Sequence, residues 1–185
     1  MPNWCNNFVE ISGSKEQLDR VEKAFTEGRL CDEFIPIPAE LRDTTAPSRE
    51  DEATRAALIE KYGSADWYDF CVNNWGTKWD VGGDVDYGGV GRDSPEYLTI
   101  SFDSAWAPPC GLYEALEAEG MTVRAYYYES GMCFAGVFEN GYDDCYDMSD
   151  MTSDEVAETI PEALDEMFGI SETMAEYEEH ERETE

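Results

Sequence analysis

The chain has 185 residues, the size of one domain or of one domain with an appendage, and 42% of them are aliphatic or aromatic, including 5 Trp, 11 Tyr and 8 Phe. That much apolar side chain supports a packed core and excludes disorder throughout. Forty-three acidic residues against twelve basic ones give a formal net charge of −31, which excludes direct binding to a phosphate backbone or an anionic membrane and favours basic partner surfaces.

The first predicted element is a strand from Trp4 to Ile11, closed by Ser12-Gly13. A helix follows, with Ser14 and Gln17 as a capping box, Leu18, Val21 and Phe25 on one face, and Gly28 as its stop. Phe34-Ile35-Pro36-Ile37-Pro38 reads as extended, because each proline pushes its predecessor away from helix. After a polar loop over residues 39–52, a helix runs from about Glu50 to Tyr62 and stops at Gly63. Ser64 is placed to cap the next helix, which carries Trp67, Phe70, Cys71 and Asn74 and ends at Gly76. Residues 82–94 are rich in glycine and aspartate and read as a long connection or an irregular hairpin.

Tyr97 to Phe102 is a strand by alternation, and Pro108-Pro109 opens a helix with Leu112, Tyr113 and Leu116 as its core face. Met121–Tyr128 and Met132–Glu139 form a hairpin around Glu129-Ser130-Gly131. This order predicts an α+β fold, an open antiparallel sheet with helices packed on one face. From Glu139 onward eighteen acidic residues face one basic residue, Arg182. The expected division is therefore a domain over residues 1–140 and an acidic, mainly helical extension over 141–185. Thr152 with Glu155 and Thr159 with Glu162 repeat the capping-box pattern there, and Val156, Ile160, Leu164, Met167 and Phe168 form a stripe that must dock on something. Past Gly169 a frayed helix or tail is expected.

Several separated stretches carry a resemblance. They are Met1-Pro2-Asn3-Trp4-Cys5-Asn6-Asn7, Tyr62-Gly63 with Trp67-Tyr68, Asn74-Trp75-Gly76-Thr77-Lys78-Trp79, Phe102-Asp103-Ser104-Ala105-Trp106-Ala107-Pro108-Pro109, and Tyr128-Glu129-Ser130-Gly131 with Phe134-Ala135-Gly136. In this order, over residues 1–140, the chain resembles the YubB-type ferredoxin-like family of phages, prophages and conjugative plasmids. The resemblance implies a ferredoxin-like sheet and a mobile-element setting. It brings no catalytic residues.

No apolar run reaches the ~20 residues of a membrane span, and the N-terminal residues lack the basic and apolar regions of a signal peptide. The expected compartment is the cytoplasm of a host cell. Six cysteines, at 5, 31, 71, 110, 133 and 145, lack C-x₂₋₄-C spacing and read as small buried hydrophobes; no metal or cofactor is expected. The single histidine, His180, lies among glutamates, which removes Ser-His and Cys-His schemes, and no phosphate loop or dinucleotide fingerprint is present. No catalytic residue is assigned.

Lys78 between Trp75 and Trp79 has the chemistry to hold a carboxylate or phosphate. The favoured expectation is structural: both indoles in the core, with Lys78 lying along them. Gly76, Thr77 and Trp106 are read as structural too, Trp106 at a strand-to-helix corner. Asp80, Asp84 and Asp86, and separately Asn140, Asp143, Asp144 and Asp147, invite a calcium reading, but solvated acidic loops are expected. The binding residues expected instead are Asp143, Asp144, Asp147, Asp150, Asp154, Glu155, Glu158 and Glu162, a carboxylate array able to imitate nucleic acid. With the mobile-element resemblance, the expected function is a non-catalytic anti-defence protein of anti-CRISPR or anti-restriction type. Its partner would be a basic nucleic-acid-binding host protein or defence complex. The alternative is a ferredoxin-like module binding a small molecule or ion, without an inhibitory role.

Overall fold

Alternation along the first strand decides which way the sheet faces. In β1 (Trp4–Ser12), Cys5, Asn7, Val9 and Ile11 are buried on one face, while Asn6, Phe8 and Glu10 lie on the other. The computed structural model describes residues 3–83 and 89–184. After β1 come α1 (Lys15–Thr26), α2 (Leu30–Phe34), α3 (Ala39–Arg42), α4 (Glu52–Tyr62), α5 (Trp67–Trp75), β2 (Gly89–Ser94), β3 (Tyr97–Ala105), α6 (Cys110–Ala118), β4 (Thr122–Glu129), β5 (Phe134–Glu139), β6 (Tyr142–Asp147), α7 (Ser153–Thr159), α8 (Glu162–Phe168) and α9 (Ile170–Thr184).

The strands form one sheet in the order β2-β3-β1-β4-β5-β6, every described pair antiparallel. Within it, the run β1-α1-β2-β3-α6-β4 has the split βαβ arrangement of a ferredoxin-like fold. The helices α1 and α6 cover one face, where Leu18, Val21 and Phe25 meet Leu112, Tyr113 and Leu116 over Val9, Ile11, Leu98, Ile100 and Val123. The capping box of Ser14 and Gln17 starts α1 as expected. Residues 27–83 are inserted between α1 and β2 and bring α2 to α5.

The sheet does not end at residue 140. Residues 142–147, expected in a mainly helical extension, form its outer strand, Val137 pairing with Asp144 and Phe138 with Asp143. One reason lies in Gly136: the Tyr127 ring packs over it where a Cβ would sit, and the Tyr127 hydroxyl crosses to donate to Asp143 Oδ1 at 2.7 Å. The remaining helices turn back onto the opposite face. There Val156, Ile160, Leu164 and Ile170 bury against Tyr126 and Ala135, with Phe8, Tyr128 and Phe168 packed alongside. The apolar stripe thus docks on the molecule's own sheet, except for Met167, which stays exposed, and α9 stays helical to Thr184.

Three local expectations are corrected. Phe34 ends a short helix instead of opening an extended segment, because Asp80 caps α2 from a distance, accepting from Cys31 N at 2.6 Å and Asp32 N at 2.9 Å. Asp66, not Ser64, caps α5. Pro161 stands at the N-cap of α8, where the Thr159–Glu162 pair was expected to form a box. Of the cysteines, only Cys5, Cys31 and Cys71 are buried; Cys110 and Cys133 are half-buried and Cys145 is exposed. No described helix is long and apolar enough to cross a membrane.

Candidate functional site

Three stretches that are far apart in sequence, around Trp4, Tyr68–Trp79 and Ala105–Pro108, meet at one corner of the sheet. Gly76 ends α5 at φ +88°, a conformation that favours glycine, and a Cβ there would lie 2.9 Å from Pro108 O. This close approach carries Thr77 onto the end of β3, where its buried hydroxyl donates to Ala105 O at 3.0 Å. Trp106 N in turn donates to Asn3 O at 2.9 Å. The result sets Trp4, Tyr68, Lys78, Trp79 and Trp106 side by side.

Trp75 is buried as expected, its Nε1 donating to Ile35 O at 2.9 Å. Trp79 is not in the core. It is 40% exposed, Trp4 is 44% and Trp106 is 46%, and the Trp4 and Trp79 ring centroids are 6.0 Å apart. Beyond Gly76 the chain has left the helix, so Trp79 no longer shares the inward face of Trp75. Trp106 also sits at φ +71°, a left-handed conformation costly for a bulky residue.

The Lys78 ammonium lies 4.5 Å from the Trp79 ring centroid, 5.6 Å from that of Trp106 and 5.7 Å from that of Tyr68. These are cation–π distances. Lys78 is half-buried and has neither an ion pair nor a hydrogen-bond acceptor among the described residues. A groove of about 430 Å³ runs beside it, lined by Arg55, Pro47, Tyr68, Asp69 and Trp106 among others. The sequence pattern pointed to Lys78 but missed Tyr68 and Arg55; the Trp67-Tyr68 stretch was the only signal for the former.

The eight carboxylates expected to bind a partner do not form one array. Strand alternation in β6 sends Asp143 and Asp144 to opposite faces. Asp143 accepts from Tyr127, and Asp147 accepts from Ser149 Oγ at 2.6 Å and Ser149 N at 3.1 Å. Those hydrogen bonds, the side-chain one first, hold the Asp147 carboxyl below its ordinary range. Acidic residues on an outer strand also discourage edge-to-edge pairing. Glu155 closes the capping box with Thr152, whose N–H and hydroxyl hold its carboxyl low. Asp150, Asp154, Glu158 and Glu162 remain, all exposed, without a basic partner among the described residues.

Asp84 and Asp86 lie outside the described residues, and Asp80 is occupied as the α2 cap. Desolvation raises the Asp80 carboxyl above its usual value, against the three backbone N–H groups that favour its charge. Burial likewise pushes the Cys110 thiol up to about 12, the opposite of nucleophile activation. Among the described residues no group of three or more His, Cys, Asp or Glu is arranged to hold a metal.

No protein-family model matches the chain, and no curated protein matches it. Among solved structures it is similar to the crystal structure of a protein api92 from Yersinia pseudotuberculosis, of the family model DUF1281, at 13% identity and a TM-score of 0.43, covering 79% of this chain and 98% of that one. A likeness of that degree carries no function across.

Proposed function

We propose that the protein acts by binding and not by catalysis, as an anti-defence protein whose helical cap occupies a basic nucleic-acid-binding surface on a host defence complex. The observation that carries this reading is the set of exposed carboxylates on α7 and α8 with no local task and no basic partner among the described residues. Asp154 and Glu158 stand one turn apart on α7, Glu162 opens α8, and Asp150 precedes both. Asp154, Glu158 and Glu162 are held on helices whose apolar sides are anchored in the sheet, so these charges are ordered before a partner arrives. A cationic groove that normally meets phosphates would pair with them instead. The mobile-element setting rests on the resemblance to the YubB-type family.

Removing residues 139–185 is not a clean test, because it would strip the outer strand and uncover Tyr126 and Ala135. The experiment is a pull-down from bacterial lysate with the intact protein and with a variant carrying Asp150→Asn, Asp154→Asn, Glu158→Gln and Glu162→Gln. A nucleic-acid-binding complex retained by the parent at low salt, released by competing DNA and lost by the variant is the expected result. Equal capture by both proteins would place the binding surface elsewhere.

A further inference from the structure

The basic residues divide unevenly. Nine of the twelve stand within 4.0 Å of a carboxylate. Among the described residues only Arg49, Arg55 and Lys78 do not, and Arg55 and Lys78 line the same groove. In a chain with 43 acids, two cations in one groove with no described carboxylate within 4.0 Å, beside exposed aromatic rings, are what an external anion with an apolar body requires.

We propose that this groove binds the C-terminus of a partner polypeptide, with the terminal carboxylate on Lys78 and an aromatic or large apolar last side chain against Trp106 and Tyr68. Three observations select that occupant. The groove holds about 430 Å³, room for one large side chain and its backbone. The net charge of −31 penalises each further negative charge brought to the surface, so one carboxylate on an apolar body suits it better than a nucleotide phosphate. Asp66, whose oxygens accept from Ser48 N and Asp69 N, and Asp69 also line the groove, and their negative charge limits the site to a single anionic group. The third observation is α4, which supplies Arg55 and buries none of its own residues, leaving Ala56, Ala57 and Ile59 exposed. A peptide running out of the groove along α4 would cover that face.

The probes are a heptapeptide ending in Phe with a free carboxylate, the same peptide amidated, N-acetylphenylalanine, and adenosine monophosphate. Binding is read by calorimetry and by the change in indole fluorescence. The free-acid peptide is expected to bind at least ten times more tightly than its amide and more tightly than N-acetylphenylalanine. Lys78→Met, which keeps the stem packed against the rings, is expected to abolish that preference while circular dichroism stays unchanged. Equal binding of acid and amide, or no binding of the acid, would overturn the proposal without any variant. A peptide no better than N-acetylphenylalanine would overturn the polypeptide assignment, and tighter binding of adenosine monophosphate would overturn the choice of a carboxylate. The result is independent of the acidic cap, whose charge-neutralised variant should bind the peptide as the parent does.

Discussion

The cap formed by α7 to α9 and the corner around Lys78 use charge in opposite ways. Over most of the body the bases sit against acids: Arg20 bridges Glu33 and Glu119, Arg42 meets Asp32, and Arg92 reaches Asp19 and Glu22. In the cap, Arg182 beside Glu178 is the one cation near a carboxylate among the described residues, and the carboxylates are tethered chiefly by local hydrogen bonds to Thr152, Ser153 and Ser171. At the corner Lys78 has no ion pair among the described residues and is flanked by rings. Exposed ion pairs contribute little to stability, so neither arrangement is explained by folding needs. What differs is what lies beneath. The cap is held by an apolar cluster separate from the main core, whereas the corner is tied by the Thr77 hydroxyl on Ala105 O and by Trp106 N on Asn3 O, at the ends of α5, β3 and β1.

The strongest way to break this comparison is to attack the cap from below. Leu164 is fully buried in the second cluster, and Leu164→Ala should cost about 2–5 kcal/mol of cap docking. All five tryptophans lie at or before residue 106, so indole fluorescence follows the body alone while far-ultraviolet circular dichroism also sees α7 to α9. In a urea titration the variant should lose helical signal before its fluorescence changes, while the parent shows coincident transitions. If both signals in the variant shift together, cap and body are one cooperative unit and cannot be treated as two regions.

A smaller effect sharpens the corner. Because Trp106 is held at φ +71°, glycine is the residue its backbone prefers. Trp106→Gly should therefore be more stable than Trp106→Ala by about 1 kcal/mol, measured by thermal or urea unfolding. An alanine variant as stable as the glycine one would mean that the turn relaxes, and that the indole is not held against a backbone cost.

Much of this was legible where the cause is local. The Ser14–Gln17 box, the α1 face, the β4–β5 hairpin and the Thr152–Glu155 box all depend on residues a few positions apart. What escaped has distant causes. The cap of α2 comes from Asp80, 48 and 49 positions away from the N–H groups it accepts. Tyr142-Asp143-Asp144-Cys145-Tyr146-Asp147 shows no apolar alternation, so only pairing with β5 makes it a strand. The corner was visible as a set of motifs but not as a site. Periodicity puts Trp75 on the inward face of a helix, yet says nothing of Trp79 once Gly76 has broken the period. Acidity was plain in the composition, while its division into an outer strand, two local caps and four uncommitted carboxylates needed the fold.

The smallest expected effect separates the cap and the body by the sign of their pH dependence. Glu155 has its carboxyl lowered by Thr152, so its contribution is present above the ordinary value of 4.5 and is lost as pH falls through the folded-state value. Asp80 has its carboxyl raised by burial, so it opposes folding above its folded-state value and that penalty fades as pH falls toward 3.8. Glu155→Gln keeps the capping-box geometry but removes the titration. The stability difference between parent and variant, which cancels the general repulsion of the acidic surface, should favour the parent at pH 7 and close by pH 3. Asp80 should show the reverse in carboxyl titrations followed by NMR, staying protonated to a higher pH than the unfolded chain. If the Glu155 difference instead widened as the pH fell, its carboxylate would be acting as an unfavourable charge in a crowded acidic surface, and the local hydrogen bonds would not be what holds it.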